Sequence, residues 1–211
     1  SQGQSHGQRL ALHVIGFPRK SVLCARYCGA ARLSRFSLAD GEVRPSLRGM
    51  SFTLITANRN YSSWSLRPWL LMKALDIPFV DRIEPFTKPA NYDEFRLFSP
   101  TGQVPVLLDG EWPVWDSLGI TLYLAERYPA VWPDDADARS FAMCAVAEMH
   151  GGFSALRNQC TMNVGVRVRK PPHDAALSRD VARVRELFDQ GLAYFGGPWL
   201  AGPQFSALDA F

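Results

Sequence analysis

The chain has 211 residues, of which 47% are hydrophobic and 20% charged, a balance that reads as a soluble globular protein of one large or two small domains with enough apolar surface for a core. Its net charge of +3 is unevenly spread: residues 1–49 hold eight Lys and Arg against Asp40 and Glu42, and the remainder holds fifteen against eighteen. The basic excess therefore belongs to the leader, which argues against nucleic acid as a partner of the folded part. Cys24, Cys28, Cys144 and Cys160 are too few and too irregular for a disulfide framework. No apolar run approaches the ~18 residues that would span a bilayer, so no membrane association is expected and a reducing cytoplasm is the expected setting.

Residues 1–49 show no sustained period of strand or helix and are expected to lie outside the folded protein. They read either as translated sequence upstream of Met50 or as an Arg-rich organelle transit peptide. From Met50, strand and helix patterns alternate. Phe52–Thr56 is an apolar, β-branched strand, and 58–63 is a polar loop. Leu66, Leu70, Leu71 and Ala74 share a helical face, and Pro68, taken as a first-turn proline, puts the helix start near Trp64. Residues 78–83 give a second strand, parallel to the first by the length of the crossover. A short helix over 92–98 leads to two hairpin strands turning at Asp109-Gly110, and a helix over 118–128 sets Ile120, Leu124 and Tyr128 on one face.

The order βαβαββα predicts a thioredoxin-like α/β domain over 50–129, with helices on a mixed four-stranded sheet. Residues 130–137 form an acidic connector, and 138–211 read as an all-α domain. Phe141, Ala145, Met149, Phe153 and Leu156 step by four, four, four and three, predicting one amphipathic helix to about Gln159. Leu177, Val181, Val184 and Phe188 mark another, stopped at Gly196-Gly197-Pro198. Ser206 with Asp209 behind Phe205 forms a capping box, a helix start so near the last residue that a C-terminal truncation is expected.

Two stretches offer chemistry. Pro105 opens a strand, where a cis Val104–Pro105 bond would leave the Val104 amide and carbonyl free to pair with an extended peptide. Asp116-Ser117 opens a helix whose orphan N–H groups favour a carboxylate. The two together would seat a small peptide with a free amine and a free carboxylate, although a plain hairpin and a capped helix fit as well. At Tyr61-Ser62-Ser63-Trp64-Ser65, Ser62 could donate to a bound thiolate beside the positive end of a helix, or simply cap that helix. His150 on an apolar helix face reads as a satisfied structural histidine. No G-x-S-x-G elbow and no Gly-rich phosphate loop occurs, and the four histidines share no metal-ligand spacing, so no metal is expected.

Taken together, SSWSLRPWLLMKALDIPF, SPTGQVPVLLDGEWPVWDSLGITLYLAERYP and FSALD make the chain from about residue 51 to 211 resemble a cytosolic glutathione S-transferase, nearest the serine-type zeta and theta-like bacterial members. The resemblance implies a cis-proline at Pro105, a homodimer and glutathione as co-substrate. It also implies that Ser62 activates the thiol with Ser63 as its neighbour, and that Val104 pairs with the cysteinyl backbone. Asp116 and Ser117 would hold the γ-glutamyl end, and Lys88 the glycyl carboxylate. Position alone puts Tyr61, His150, Phe153 and Arg157 around the second substrate. The implied activity is conjugation of the glutathione thiolate to small hydrophobic electrophiles. A maleylacetoacetate isomerase-like reaction and a non-catalytic binding module are the alternatives. Trp64 stands where the zeta motif carries cysteine.

Overall fold

A computed structural model describes residues 52–87, 91–168 and 172–211. The leader and Lys88 lie outside them. The first half runs β1 (Phe52–Thr56), α1 (Ser63–Ala74), β2 (Phe79–Ile83), α2 (Tyr92–Phe95), β3 (Val106–Asp109), β4 (Trp112–Trp115) and α3 (Ser117–Ala125). The sheet order is β2-β1-β3-β4, with β1 parallel to β2 and antiparallel to β3, and β3 antiparallel to β4. The α1 crossover accounts for the parallel pair, since a tight turn can join only antiparallel strands. Asp109 pairs with Trp112 across a two-residue loop, and Gly110 supplies the positive φ of 62° that its first position demands. This is a thioredoxin-like fold with helices packed on a mixed sheet.

A short 3₁₀ turn (Pro129–Val131) leads into α4 (Ala136–Gly151), α5 (Ser154–Gln159), α6 (Ala175–Phe195) and α7 (Ala207–Ala210). Leu54, Leu71, Leu107, Ile120 and Leu124 of the α/β half share one buried cluster with Val131, Ala142, Val146 and Leu208 of the helical region. Ser206 and Asp209 close the capping box at α7. Among the described residues no helix is long and apolar enough to cross a membrane.

Several boundaries differ from the sequence reading. α1 begins at Ser63, which makes Pro68 its sixth residue rather than a first-turn proline. The helix forfeits the N–H that would reach the Trp64 carbonyl, and the buried packing of Pro68 holds it in register. α2 stops at Phe95, beyond which the Leu97 and Phe98 N–H groups reach only three residues back, to the Glu94 and Phe95 carbonyls at 3.3 and 3.2 Å. α3 ends at Ala125, and Tyr128 instead precedes the 3₁₀ turn. The single helix expected to reach Gln159 is two, α4 and α5, broken where Phe153 adopts φ 59°.

Candidate active site

The site starts at the N-terminus of α1. Ser62 occupies the N-cap position in extended backbone (φ −93°, ψ 91°), yet its side chain makes no capping bond. Its hydroxyl donates instead to Ser65 Oγ at 3.1 Å, and that fully buried oxygen also accepts the Ala57 N–H at 3.1 Å. The first turn of α1 carries no acidic residue, so the positive end of the helix is uncompensated.

Facing it are the residues around β3 and α3. The Val104–Pro105 peptide is cis. Asp116 caps α3 by accepting Leu118 N–H at 2.8 Å and Gly119 N–H at 3.3 Å. To do so it holds φ 70°, ψ 140°, a conformation that costs a non-glycine residue about 1–3 kcal/mol and recurs at ligand clamps. Ser117, the first residue of α3, is 1% exposed, and its Oγ has no hydrogen-bond partner among the described residues. His150 reaches in from the end of α4, with Nε2 at 3.5 Å from Asp116 Oδ1 and its ring edge-on to Trp64 at 5.3 Å. Its Nδ1 is buried without a partner among the described residues.

A cavity of about 830 Å³ brings Ser62, Val104, Asp116, Ser117 and His150 onto one surface. A second, of about 440 Å³, shares Ser62, Trp64 and Phe86 with it and is lined in addition by Tyr61, Ser63 and Arg157. Phe153 lines neither; at 7% exposure it belongs to the core, turned inward by its left-handed backbone. Lys88 lies outside the described residues.

Sequence reasoning passed over Trp64 as anything but a departure and missed Arg67 altogether. Arg67 is only 3% exposed, with its guanidinium 4.4 Å from the Trp64 ring centre and 4.6 Å from that of Phe211. Its Nε and Nη1 are buried and have no hydrogen-bond partner among the described residues. Arg157 lies 4.7 Å from the same Trp64 ring and donates to the main-chain carbonyls of Gly152 and Met149. Burial, with the Arg157 charge adding and Asp116 opposing, lowers the Arg67 pKa to about 10; burial also lowers that of Arg157. The available signal was one charged residue inside an apolar helical run, Leu66 to Leu71. Buried cations are normally paired.

Among the described residues, no group of His, Cys, Asp and Glu is arranged to hold a metal ion. Residues 61–127 match the family model "Glutathione S-transferase, N-terminal domain". A zeta-class glutathione S-transferase of Euphorbia esula is 27% identical over 160 residues, covering 72% of this chain and 69% of that protein. Glutathione S-transferase theta-1 of Homo sapiens is 33% identical over 107 residues, 49% of this chain and 43% of the relative, so the chain spans less than half of that protein's length. Among solved structures, the apo form of human glutathione S-transferase T1-1 superposes with a TM-score of 0.53 at 26% identity, covering 76% of this chain and 70% of that one. What these comparisons have in common is likeness to glutathione S-transferases, with the family model matching residues 61–127.

Proposed function

We propose that this chain is a serine-type glutathione transferase, which binds glutathione in the larger cavity and uses its thiolate to attack a small electrophile in the adjoining one. One observation carries the reading. Ser62, Val104, Asp116 and Ser117 line a single cavity of about 830 Å³, and the buried Ser117 hydroxyl there lacks a partner among the described residues. That volume lies within the roughly 300–1,000 Å³ usual for small-molecule pockets. In this reading Asp116 accepts the γ-glutamyl ammonium, while the Ser117 hydroxyl and the N-terminus of α3 receive its carboxylate. The main chain of Val104, outside the β3 ladder, pairs with the cysteinyl unit. Lys88 serves the glycyl end.

Ser62 then turns its proton from Ser65 to the sulfur, with Ser63 beside it. A free thiol of pKa about 8.5 is only ~3% thiolate at pH 7. Lowering that pKa by about two units takes ~2.7 kcal/mol and raises the fraction to about 76%. A charge-assisted hydrogen bond from Ser62 and the uncompensated α1 terminus are together of that order. Tyr61 and Arg157 wall the electrophile side, and His150 steadies the Asp116 carboxylate. A homodimer belongs to the same reading. Its support is an apolar groove of about 400 Å³ beside β4 and α3 that carries exposed Trp112, Trp115 and Leu122. Sedimentation should give a dimer, which Trp112→Glu splits; a wild-type monomer removes that element.

The test is to titrate glutathione into the protein and follow thiolate absorbance against pH. Saturable binding with an apparent thiol pKa near 6.5 is expected. A bound thiol that keeps the free value, or no saturation, overturns the reading.

A further inference from the structure

The two arginines around Trp64 leave a charge balance that glutathione binding does not absorb. Neither Arg67 nor Arg157 forms an ion pair among the described residues. Arg157 spends two donors on carbonyl oxygens, which are neutral acceptors. Arg67 has N–H groups on Nε and Nη1 that are buried with no acceptor among the described residues. Both residues line the smaller cavity, together with Ser62, and neither lines the larger one. A buried guanidinium with unmet donors is costly unless an anion completes it, and its planar fork matches a carboxylate in two-point geometry. Around it the cavity is apolar, with Met149, Leu156, Met162 and Phe211 on its walls. Such walls suit a flat or branched carbon body attached to the charge.

We propose that Arg67 and Arg157, gathered on Trp64, form a carboxylate subsite, so that the electrophile is an organic acid with an apolar body whose reactive carbon lies toward Ser62. This rests on the glutathione transferase reading for its chemistry, but the anion site itself does not. In the conjugation step the thiolate sulfur forms a carbon–sulfur bond at the reactive carbon. The bond to the leaving group breaks, and that group departs with the electron pair. The arginines stay outside this exchange and hold the acid end.

Binding is tested first, by thermal melting with 4-ethylbenzoate and its neutral counterpart 4-ethylbenzamide, with and without saturating S-methylglutathione. The benzoate should raise the Tm of the wild type by mass action and the benzamide should not, whether or not S-methylglutathione is present. Arg67→Met and Arg157→Met should each lose the benzoate shift, while Arg185→Met, on the outer face of α6, keeps it. Arg67→Met removes a buried unpaired charge and is expected to fold; if it does not, Arg157→Met carries the comparison. Equal shifts from acid and amide, or a benzoate shift that survives both variants, overturn the subsite. So does a benzoate shift abolished by S-methylglutathione, which would assign the arginines to glutathione's own carboxylates. Failure of S-methylglutathione to bind would count against the transferase reading alone, because the benzoate arm runs without it. Kinetics follow with 4-(bromomethyl)benzoate and its methyl ester, where bromide is the leaving group. The acid should be favoured in kcat/KM by at least about 10-fold after correction for the uncatalysed rates. That ratio should fall toward one in both arginine variants, and a wild-type ratio near one overturns the proposal.

Discussion

The Ser62 hydroxyl donates to Ser65 Oγ at 3.1 Å, leaving the first turn of α1 without a side-chain cap. A capping serine would be spent on its own helix; this one holds its proton on a neighbouring hydroxyl, a neutral bond that a thiolate can outcompete. Ser62→Ala should therefore lower turnover at pH 7 by at least about 10-fold, or ~1.4 kcal/mol. Because no capping bond is lost, its Tm should stay near that of the wild type. Unchanged turnover ends the role of Ser62, and a large drop in Tm would show that the serine serves the helix instead.

Ser117 makes a sharper case, because its effects on stability and on binding should have opposite signs. Its hydroxyl is buried and unpartnered among the described residues, so the protein without ligand bears the cost of an unmet polar group. Ser117→Ala should leave the Tm of the ligand-free protein unchanged or slightly higher. The same variant should bind glutathione about 10-fold more weakly or worse, since a hydrogen bond to a charged group is lost. Isothermal titration beside thermal melting reads both. A variant that is less stable and binds normally would reverse the assignment.

At the junction of α4 and α5, a Cβ added to Gly152 would come 2.7 Å from the Glu148 carbonyl oxygen, a backbone atom with little freedom to move. Gly152 N–H bonds that same oxygen at 2.8 Å, so the approach is part of how the helix ends. Gly152→Ala should cost about 1–3 kcal/mol by urea denaturation. It should also disturb Arg157, whose Nε donates to the Gly152 carbonyl. Gly151→Ala, with open space around the added carbon, is the matched control and should fall within about 0.5 kcal/mol of wild type.

That junction also shows where the sequence ceased to be legible. The strands, the hairpin turn and the α3 cap are specified by a few adjacent residues, such as Phe52–Thr56, Asp109-Gly110 and Asp116-Ser117. Local sequence was enough to find them. The apolar steps from Phe141 to Leu156 run through the break without a fault. Phe153 returns to the core in a left-handed conformation, so periodicity survives while the backbone does not. The smaller cavity was illegible for another reason. Arg67 and Arg157 lie on α1 and α5, and only tertiary packing brings both to Trp64. His150 likewise meets Asp116 across the two halves of the fold, where the sequence offered only an ordinary helical histidine.

A pH prediction follows from the contact between α4 and α6. Arg183 Nε and Nη2 donate to the two oxygens of Glu148 at 2.8 and 3.0 Å. These bonds hold the Glu148 carboxyl below its ordinary value of 4.5. A depressed folded value means that the stabilisation is complete above the unfolded pKa and is lost as pH falls through the folded one. Both side chains are 37% exposed, so solvent screens the pair and it is worth at most about 1 kcal/mol. Glu148→Gln should then lower the Tm near neutral pH by no more than about 2–4 °C. The gap from wild type should narrow as pH drops below 4.5 and should be nearly closed where the wild-type carboxyl is itself protonated. A gap that persists at low pH would assign the loss to packing. The Gly152 N–H also bonds the Glu148 main-chain carbonyl, so a purely electrostatic effect should leave the α4–α5 junction, and with it Arg157, undisturbed.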